Sequence, residues 1–306
     1  MAMVLAAAGA AWASPATAPA TRPQVPQSFI RFVEDGHGGG SLQTADVAFQ
    51  NRDGATVHLI AAVHIGEKSY YDALNRQFQD FDAVLYEMIK PRGAAPPAPG
   101  QAEQSDSDIA AFQRFLKDVL ELDFQLDDID YTAPNFVHAD LDRETFEKLQ
   151  EQRGESFESL MLQQMLNALN QSTTRQSDVQ SLQDMVNVLT HPDMERQIKV
   201  VLARQMGEMD TAAMGLEGPG ATVILSERNN AAMQTLSQTL AAGKKNVAIF
   251  YGSAHMPDLA KRLAAEGFEP LSTRWNLAWD LTIRPDQPSA VQKLFDGLIK
   301  SLQENK

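Results

Sequence analysis

Runs of apolar residues predict three strands of a central sheet. Residues 57–63 read VHLIAAV, residues 82–89 read DAVLYEMI and residues 246–252 read NVAIFYG. Short, nearly continuous apolar runs of this kind are typical of parallel strands that are buried on both faces. The stretch TADVAFQ precedes the first run across an Asp-Gly turn at residues 51–54, and this arrangement predicts a β-hairpin.

Helical periodicity follows two of these strands. A capping-box pattern begins at Ser69, and the sequence PDLAKRLAAEG places Pro257 in the first turn of another helix. Ser226 and Asp142 are predicted N-caps of two further helices. Because a strand, a helix and a strand follow each other within residues 57–89, the sequence predicts a parallel βαβ unit there.

These elements indicate an α/β fold with a mixed, largely parallel central sheet built from two α/β halves, with a helical insertion between them. The predicted segments are a signal-like stretch at 1–20, a first α/β half at 21–90, a Pro/Ala-rich linker at 91–107, a helical insertion at 108–210, a second α/β half at 211–285 and a C-terminal amphipathic helix at 286–306.

Composition excludes several classes of protein. The formal net charge of −14 over 306 residues disfavours binding to nucleic acid or to anionic lipid. The absence of cysteine excludes disulfides, thiolate zinc sites and a cysteine nucleophile. No run approaches the ~18 apolar residues of a transmembrane helix, so we expect no membrane span.

The N-terminal stretch MAMVLAAAGAAWASPATAPA has the features of a secretory signal. Residues 3–13 form an apolar run, and Ala11-Trp12-Ala13 has the form of an A-x-A cleavage site. The basic region that usually precedes the apolar run is missing, because the first Arg is Arg22. We expect export to the periplasm or out of the cell; a disordered Ala/Pro-rich tail is the alternative.

Three side chains suited to metal binding follow predicted strands. His64, Glu87 and His255 each stand at the carboxyl end of an apolar run, and this edge of an open α/β sheet is where ligands bind. Two His and one Glu leave an open coordination position, as in several catalytic zinc sites. Manganese or cobalt would be bound equally well by these ligand types, so the metal's identity is open.

Each of these residues also has a structural explanation. Either histidine by itself is more often a hydrogen-bonded turn residue, and Glu87 could simply reach solvent at a strand end. Arg228, in SERNNAAM, stands at a predicted helix start, where the dipole disfavours a cation. We expect it to bind a substrate carboxylate or an oxyanion, or to have a partner acid; a surface arginine is the alternative.

Two weaker candidate sets remain. His138, Asp140 and Asp142, in FVHADLD, could bind metal, although Asp142 is better explained as a helix cap. Four side chains beside the main candidates could be axial ligands of haem, although strand core and turn packing explains them more simply. They are Tyr86, Met88, Tyr251 and Met256.

The motifs AAVHIG, AVLYEMI, SERNNAAM and FYGSAHMPDLAKRLAAEGFEP together resemble the TraB/GumN/Tiki superfamily, whose relatives include erythromycin-esterase-like and ChaN-like haem-binding proteins. The resemblance covers about residues 55–90 and 220–275, with Ala61 where the family's first G-x-x-H motif has Gly. It implies that His64, Glu87 and His255 are the metal or catalytic set, with Arg228 as a supporting charge. Asn229 matches the Arg-Asn motif without an assigned role.

The resemblance and the residues together predict an exported hydrolase that depends on a divalent metal (Mn, Co or Zn). We expect it to act on peptides, through a metal-activated water with Glu87 as a ligand or general base. A small-molecule substrate remains open. A haem- or iron-binding protein of the ChaN-like type and a non-catalytic binding protein on the same scaffold are the alternatives.

Overall fold

The computed structural model describes residues 23–100, 122–153, 194–208 and 225–283. The predicted signal-like segment, the C-terminal amphipathic helix and most of the helical insertion lie outside these ranges. Within them, no helix combines the length and the apolar character needed to cross a membrane.

The described residues contain nine strands, seven in the main sheet and two in a separate pair. They are β1 (Ile30–Glu34), β2 (Gly40–Gln50), β3 (Thr56–Ala62), β4 (Ile65–Gly66), β5 (Ala83–Tyr86), β6 (Asp123–Phe124), β7 (Phe136–His138), β8 (Asn246–Gly252) and β9 (Glu269–Leu281).

The helices follow or separate these strands. They are α1 (Lys68–Phe78), α2 (Gln125–Asp128), α3 (Arg143–Arg153), α4 (Met194–Gly207), α5 (Ser226–Ala241) and α6 (Met256–Ala265). A 3₁₀ turn, Ser253–His255, joins β8 directly to α6.

The centre of the main sheet is parallel. In the order β3-β8-β5-β7, each strand pairs in parallel with the next. β2 pairs antiparallel with β3 and forms the predicted hairpin, with Gly54 at a φ of 79° in its turn. β9 pairs antiparallel along the whole of β2. The α/β fold with a largely parallel sheet is therefore confirmed.

Hydrophobic cores cover both faces of this sheet. In β3, Leu59 contributes to one core and Ile60 to the other, which is why the strand's sequence is apolar at nearly every position. Helices α1 and α4 pack into the first core, which holds Ile60. Helices α5 and α6 pack into the second, which holds Leu59. The result is a three-layer arrangement with the sheet in the middle.

The structure differs from the sequence-based predictions at three places. The predicted insertion is not helical throughout, because its residues Phe136–His138 form β7 on the open edge of β5. Ser69 and Ser226 are not N-caps: Glu67 and Leu225 occupy those positions without a side-chain capping hydrogen bond. Asp142 is a cap as predicted, since its Oδ1 accepts a hydrogen bond from the Thr145 backbone N–H at 2.8 Å.

Candidate functional site

The candidate site lies at the edge where the four parallel strands end. His64 follows β3, Glu87 directly follows β5, and His255 ends the 3₁₀ turn after β8. Asp140 follows β7 at the same edge. The structure thus brings together the three residues that the sequence predicts to meet, with β8 lying between the strands that carry His64 and Glu87.

Gly252 is the point on which the three side chains converge. A Cβ atom built on this glycine would lie 3.4 Å from Glu87 Oε2, 3.8 Å from His64 Nε2 and 3.9 Å from His255 Cδ2. Its φ of −53° is accessible to any residue, so backbone conformation does not require glycine here. The missing side chain instead leaves open the space that the carboxylate and the imidazoles share.

The carboxylate of Glu87 is nearly enclosed, with its side chain 10% exposed. Its Oε2 accepts a hydrogen bond from the Gly252 N–H at 2.6 Å, and its Oε1 lies 2.8 Å from Arg228 Nη2. Burial by itself raises the pKa of Glu87, but His255 and Arg228 outweigh it and hold that pKa well below its usual range. Glu87 is therefore ionised at neutral pH.

Arg228 is a buried cation placed between two carboxylates. Its Nε donates to both oxygens of Asp140, at 2.9 and 3.2 Å, and the Asp140 side chain is 0% exposed. Burial lowers the pKa of Arg228, but Asp140 and Glu87 outweigh this effect and raise it. The surface-arginine alternative is therefore wrong, and the expected partner acids are Asp140 and Glu87.

His255 is buried and held from the side opposite Glu87. Its Nδ1 lies 2.7 Å from Asn229 Oδ1, while its Nε2 lies 3.6 Å from Glu87 Oε1. The ring also packs edge-on against Tyr251, with 5.1 Å between the ring centroids. Asn229 is 0% exposed and in turn donates from Nδ2 to Asp258 Oδ2 at 2.8 Å.

His64, in contrast, is solvent-exposed at the mouth of the site. Its Nδ1 lies 3.1 Å from Oε1 of the buried Gln125, whose Nε2 donates to the Tyr131 hydroxyl at 2.9 Å. The backbone N–H of Gln125 also donates to the His64 carbonyl at 3.0 Å. A short segment beginning at α2 thereby holds the first histidine, as α5 holds the second.

The donor set fits a divalent cation in its chemistry and in one measured spacing. Two ligands at bonds of ~2.0–2.1 Å in a tetrahedral site lie about 3.3 Å apart. The 3.6 Å between His255 Nε2 and Glu87 Oε1 is close to this value and is too long for a hydrogen bond. Across the described ranges, however, no group of three or more His, Asp or Glu side chains is arranged so that it could hold a metal ion.

Among the other predicted candidates, Asp140 joins the cluster as the partner of Arg228, and the rest lie outside the cluster or inside the core. His138 Nε2 lies 2.7 Å from the Met88 carbonyl oxygen, and Asp142 caps α3. Three of the four suggested haem ligands are at most 3% exposed in the core: Tyr86, Tyr251 and Met256. Met88 is half-buried. The buried three could not bind an iron at the candidate site without leaving their packing.

The sequence does not predict the roles of the residues that hold the site together: Asp140 is expected there only as a possible metal ligand, whereas it pairs with Arg228. Asp140 carried a signal, because a cation at a helix start needs a partner acid and DLD lies just beyond a short apolar stretch. Asn229 was matched to a motif without a role. Gln125 carried no signal, since only the folded chain brings it to His64.

We compared the chain with protein-family models, with curated proteins and with solved structures, and none of them matched.

Proposed function

We propose that this protein is a metal-dependent hydrolase, with peptides as its substrate class, and that His64, Glu87 and His255 hold the metal. The observation that carries the proposal is the 3.6 Å between His255 Nε2 and Glu87 Oε1. A buried imidazole nitrogen and an ionised carboxylate face each other at the separation of two ligands of one cation. The side chain of His64 points its Nε2 towards the same space above Gly252.

The surroundings of Glu87 favour a role as a metal ligand over a role as a general base. A carboxylate whose pKa is held well below its usual range is a weak base at neutral pH. Its constant negative charge, however, is what a divalent cation needs. A bound Mn, Co or Zn would lower the pKa of water and polarise a substrate carbonyl.

Arg228 has a positioning role in this proposal. Its side chain is 9% exposed and is engaged by Asp140 and Glu87, so it is not free to bind a substrate carboxylate. It holds the carboxylate of Glu87 in place and offsets part of its charge. His64, at the exposed mouth, is the ligand beside which a substrate would enter.

We also propose membership of the TraB/GumN/Tiki superfamily, as a GumN-like chain exported through residues 1–20. The support is that four motifs from separate parts of the chain, AAVHIG, AVLYEMI, SERNNAAM and FYGSAH, supply residues to one cluster. These residues are His64, Glu87, Arg228 and His255.

The test is metal analysis of the full chain, produced without a histidine tag. Wild type and a His64→Ala/His255→Ala double variant are loaded with Mn, Co or Zn, desalted, and measured for metal per chain and for hydrolysis of a peptide library. His37→Ala is the matched control, because His37 is exposed in a loop. We expect one metal per chain in wild type and control, and loss of both metal and hydrolysis in the double variant.

Other results would redirect the assignment. Equal metal content in wild type and the folded double variant would overturn the metal site. It would leave Glu87, Arg228 and Asp140 as an ion-pair network in a non-catalytic binding protein. A Soret band on haem titration, lost in the double variant, would favour the ChaN-like alternative. Bound metal with no hydrolysis of any peptide would overturn the peptidase assignment alone.

A further inference from the structure

We propose that Asn229 is a positioning residue that fixes His255 in the tautomer protonated at Nδ1, so that the lone pair of Nε2 is directed at Glu87. The tautomer follows from hydrogen bonds alone. Its consequence for metal binding rests on the function proposed above.

The direction of the Asn229 amide is determined by its other partners. Its Nδ2 donates to the carboxylate of Asp258 at 2.8 Å and approaches the His255 backbone carbonyl at 3.4 Å. A carboxylate and a carbonyl can only accept, so the amide nitrogen must be the atom that faces them. Oδ1 therefore faces His255 Nδ1 at 2.7 Å. Since an amide oxygen can only accept, Nδ1 carries the proton.

Asp258 is itself held in place, which makes the arrangement rigid. Its Oδ2 also accepts from Arg262 Nε at 2.6 Å. Asn229 lies in α5, while Asp258 and Arg262 lie in α6, whose first turn follows directly on His255. The hydrogen bonds from His255 through Asn229 and Asp258 to Arg262, here called the Asn229 relay, therefore connect the two helices and set the orientation of the imidazole between them.

The Asn229 relay determines whether Nε2 of His255 presents a lone pair or a proton to the space above Gly252. With Nδ1 protonated, a neutral imidazole has its lone pair on Nε2, 3.6 Å from the ionised Glu87. A cation between two lone-pair donors that face each other is stabilising, and either a proton on Nε2 or a bound metal would supply it. In the opposite tautomer, Nε2–H would simply point at the carboxylate and could not bind a metal.

The experiment compares three variants with wild type. Asn229→Leu removes the acceptor for Nδ1–H. Asn229→Asp/Asp258→Asn exchanges the two side chains without a change in net charge. An oxygen at position 229 still faces His255, and the amide nitrogen at position 258 still donates to position 229. Thr239→Val is the control, because Thr239 also lies in α5 and its hydroxyl donates to the Thr235 carbonyl within that helix.

Two readouts are recorded. Long-range ¹H–¹⁵N correlation spectra of the metal-free, ¹⁵N-histidine-labelled full chain report the tautomer of His255 at about pH 8, above the usual imidazole pKa of roughly 6.5. The His255 signals are those absent from a His255→Gln sample. Zinc affinity is then measured by competition with a chelator.

We expect an Nδ1–H tautomer in wild type, the exchange variant and Thr239→Val. In Asn229→Leu we expect the Nε2–H form to appear, with zinc affinity lower by about 10- to 100-fold. An Nε2–H or doubly protonated His255 in wild type, or an unchanged tautomer in Asn229→Leu, would overturn the inference. Should wild type bind no zinc while the tautomer shifts as expected, the proposed function fails and the role of Asn229 stands.

Discussion

Removing the charge of Arg228 is the sharpest test of how the site is stabilised. In Arg228→Met, the side chains of Asp140 and Glu87, which are 0% and 10% exposed, keep their charges but lose the cation between them. Breaking a buried ion pair by deleting one partner costs about 3–5 kcal/mol, because the remaining charge cannot regain its hydration. We expect a loss of this size in the free energy of unfolding at about pH 7.

The loss should depend on pH, with a defined sign. The folded-state pKa of Glu87 lies below its unfolded value of roughly 4.3. The stability that it contributes is therefore present above that value and is lost as the pH falls through the folded pKa. Deleting Arg228 removes one cause of the low pKa of Glu87, so ionisation of Glu87 contributes less to the free energy of unfolding in the variant. The difference between wild type and variant should shrink on acidification to about pH 4 or below.

Urea unfolding followed by circular dichroism at the two pH values measures both effects. Arg92→Met is the matched control: it removes the same charge from an ion pair with Asp142, but Arg92 is 75% exposed, and we expect stability close to that of wild type. A loss below about 1 kcal/mol in Arg228→Met, or a loss that grows on acidification, would refute the reasoning.

Three further substitutions test other parts of the structure. Gly252→Ala should keep the fold, because its φ is ordinary, but should reduce the metal content per chain, because the methyl group would lie 3.4 Å from Glu87 Oε2. Gly267→Ala should lower the melting temperature through about 1–2 kcal/mol of strain, because the φ of 85° after α6 is left-handed. Asp46→Leu should cost about 1–3 kcal/mol in urea unfolding, because this buried carboxylate satisfies three donors. These donors are His58, Gln77 and Arg274.

The sequence was informative where burial dictates residue type. β3, β5 and β8 lie between two cores, so their apolar runs could be recognised without any knowledge of their partners. The positions of His64, Glu87 and His255 at the strand ends followed directly. Because the carboxyl ends of parallel strands lie at one edge of a sheet, the meeting of these three residues could also be predicted.

Pairing between distant segments could not be predicted in the same way. That β8 inserts between β3 and β5 depends on long-range contacts which leave no local pattern. β7 is a short strand whose partner is an edge of β5, and it was hidden within a stretch expected to be helical. Ser69 and Ser226 are good N-cap residues, yet tertiary packing begins each helix earlier. The N-cap positions are Glu67, two residues before Ser69, and Leu225, one residue before Ser226.

The position of β8 has a consequence for how the chain folds during synthesis. β3 and β5 emerge early but expose one unpaired edge each until β8 arrives and completes both ladders. A nascent chain that lacks β8 thus has two unpaired strand edges that can pair with other chains. It also lacks His255, which lies in the same late segment. The candidate site and the central sheet should therefore form in one cooperative step, late in folding. Truncated chains that end before β8 should aggregate instead of accumulating as a stable first half.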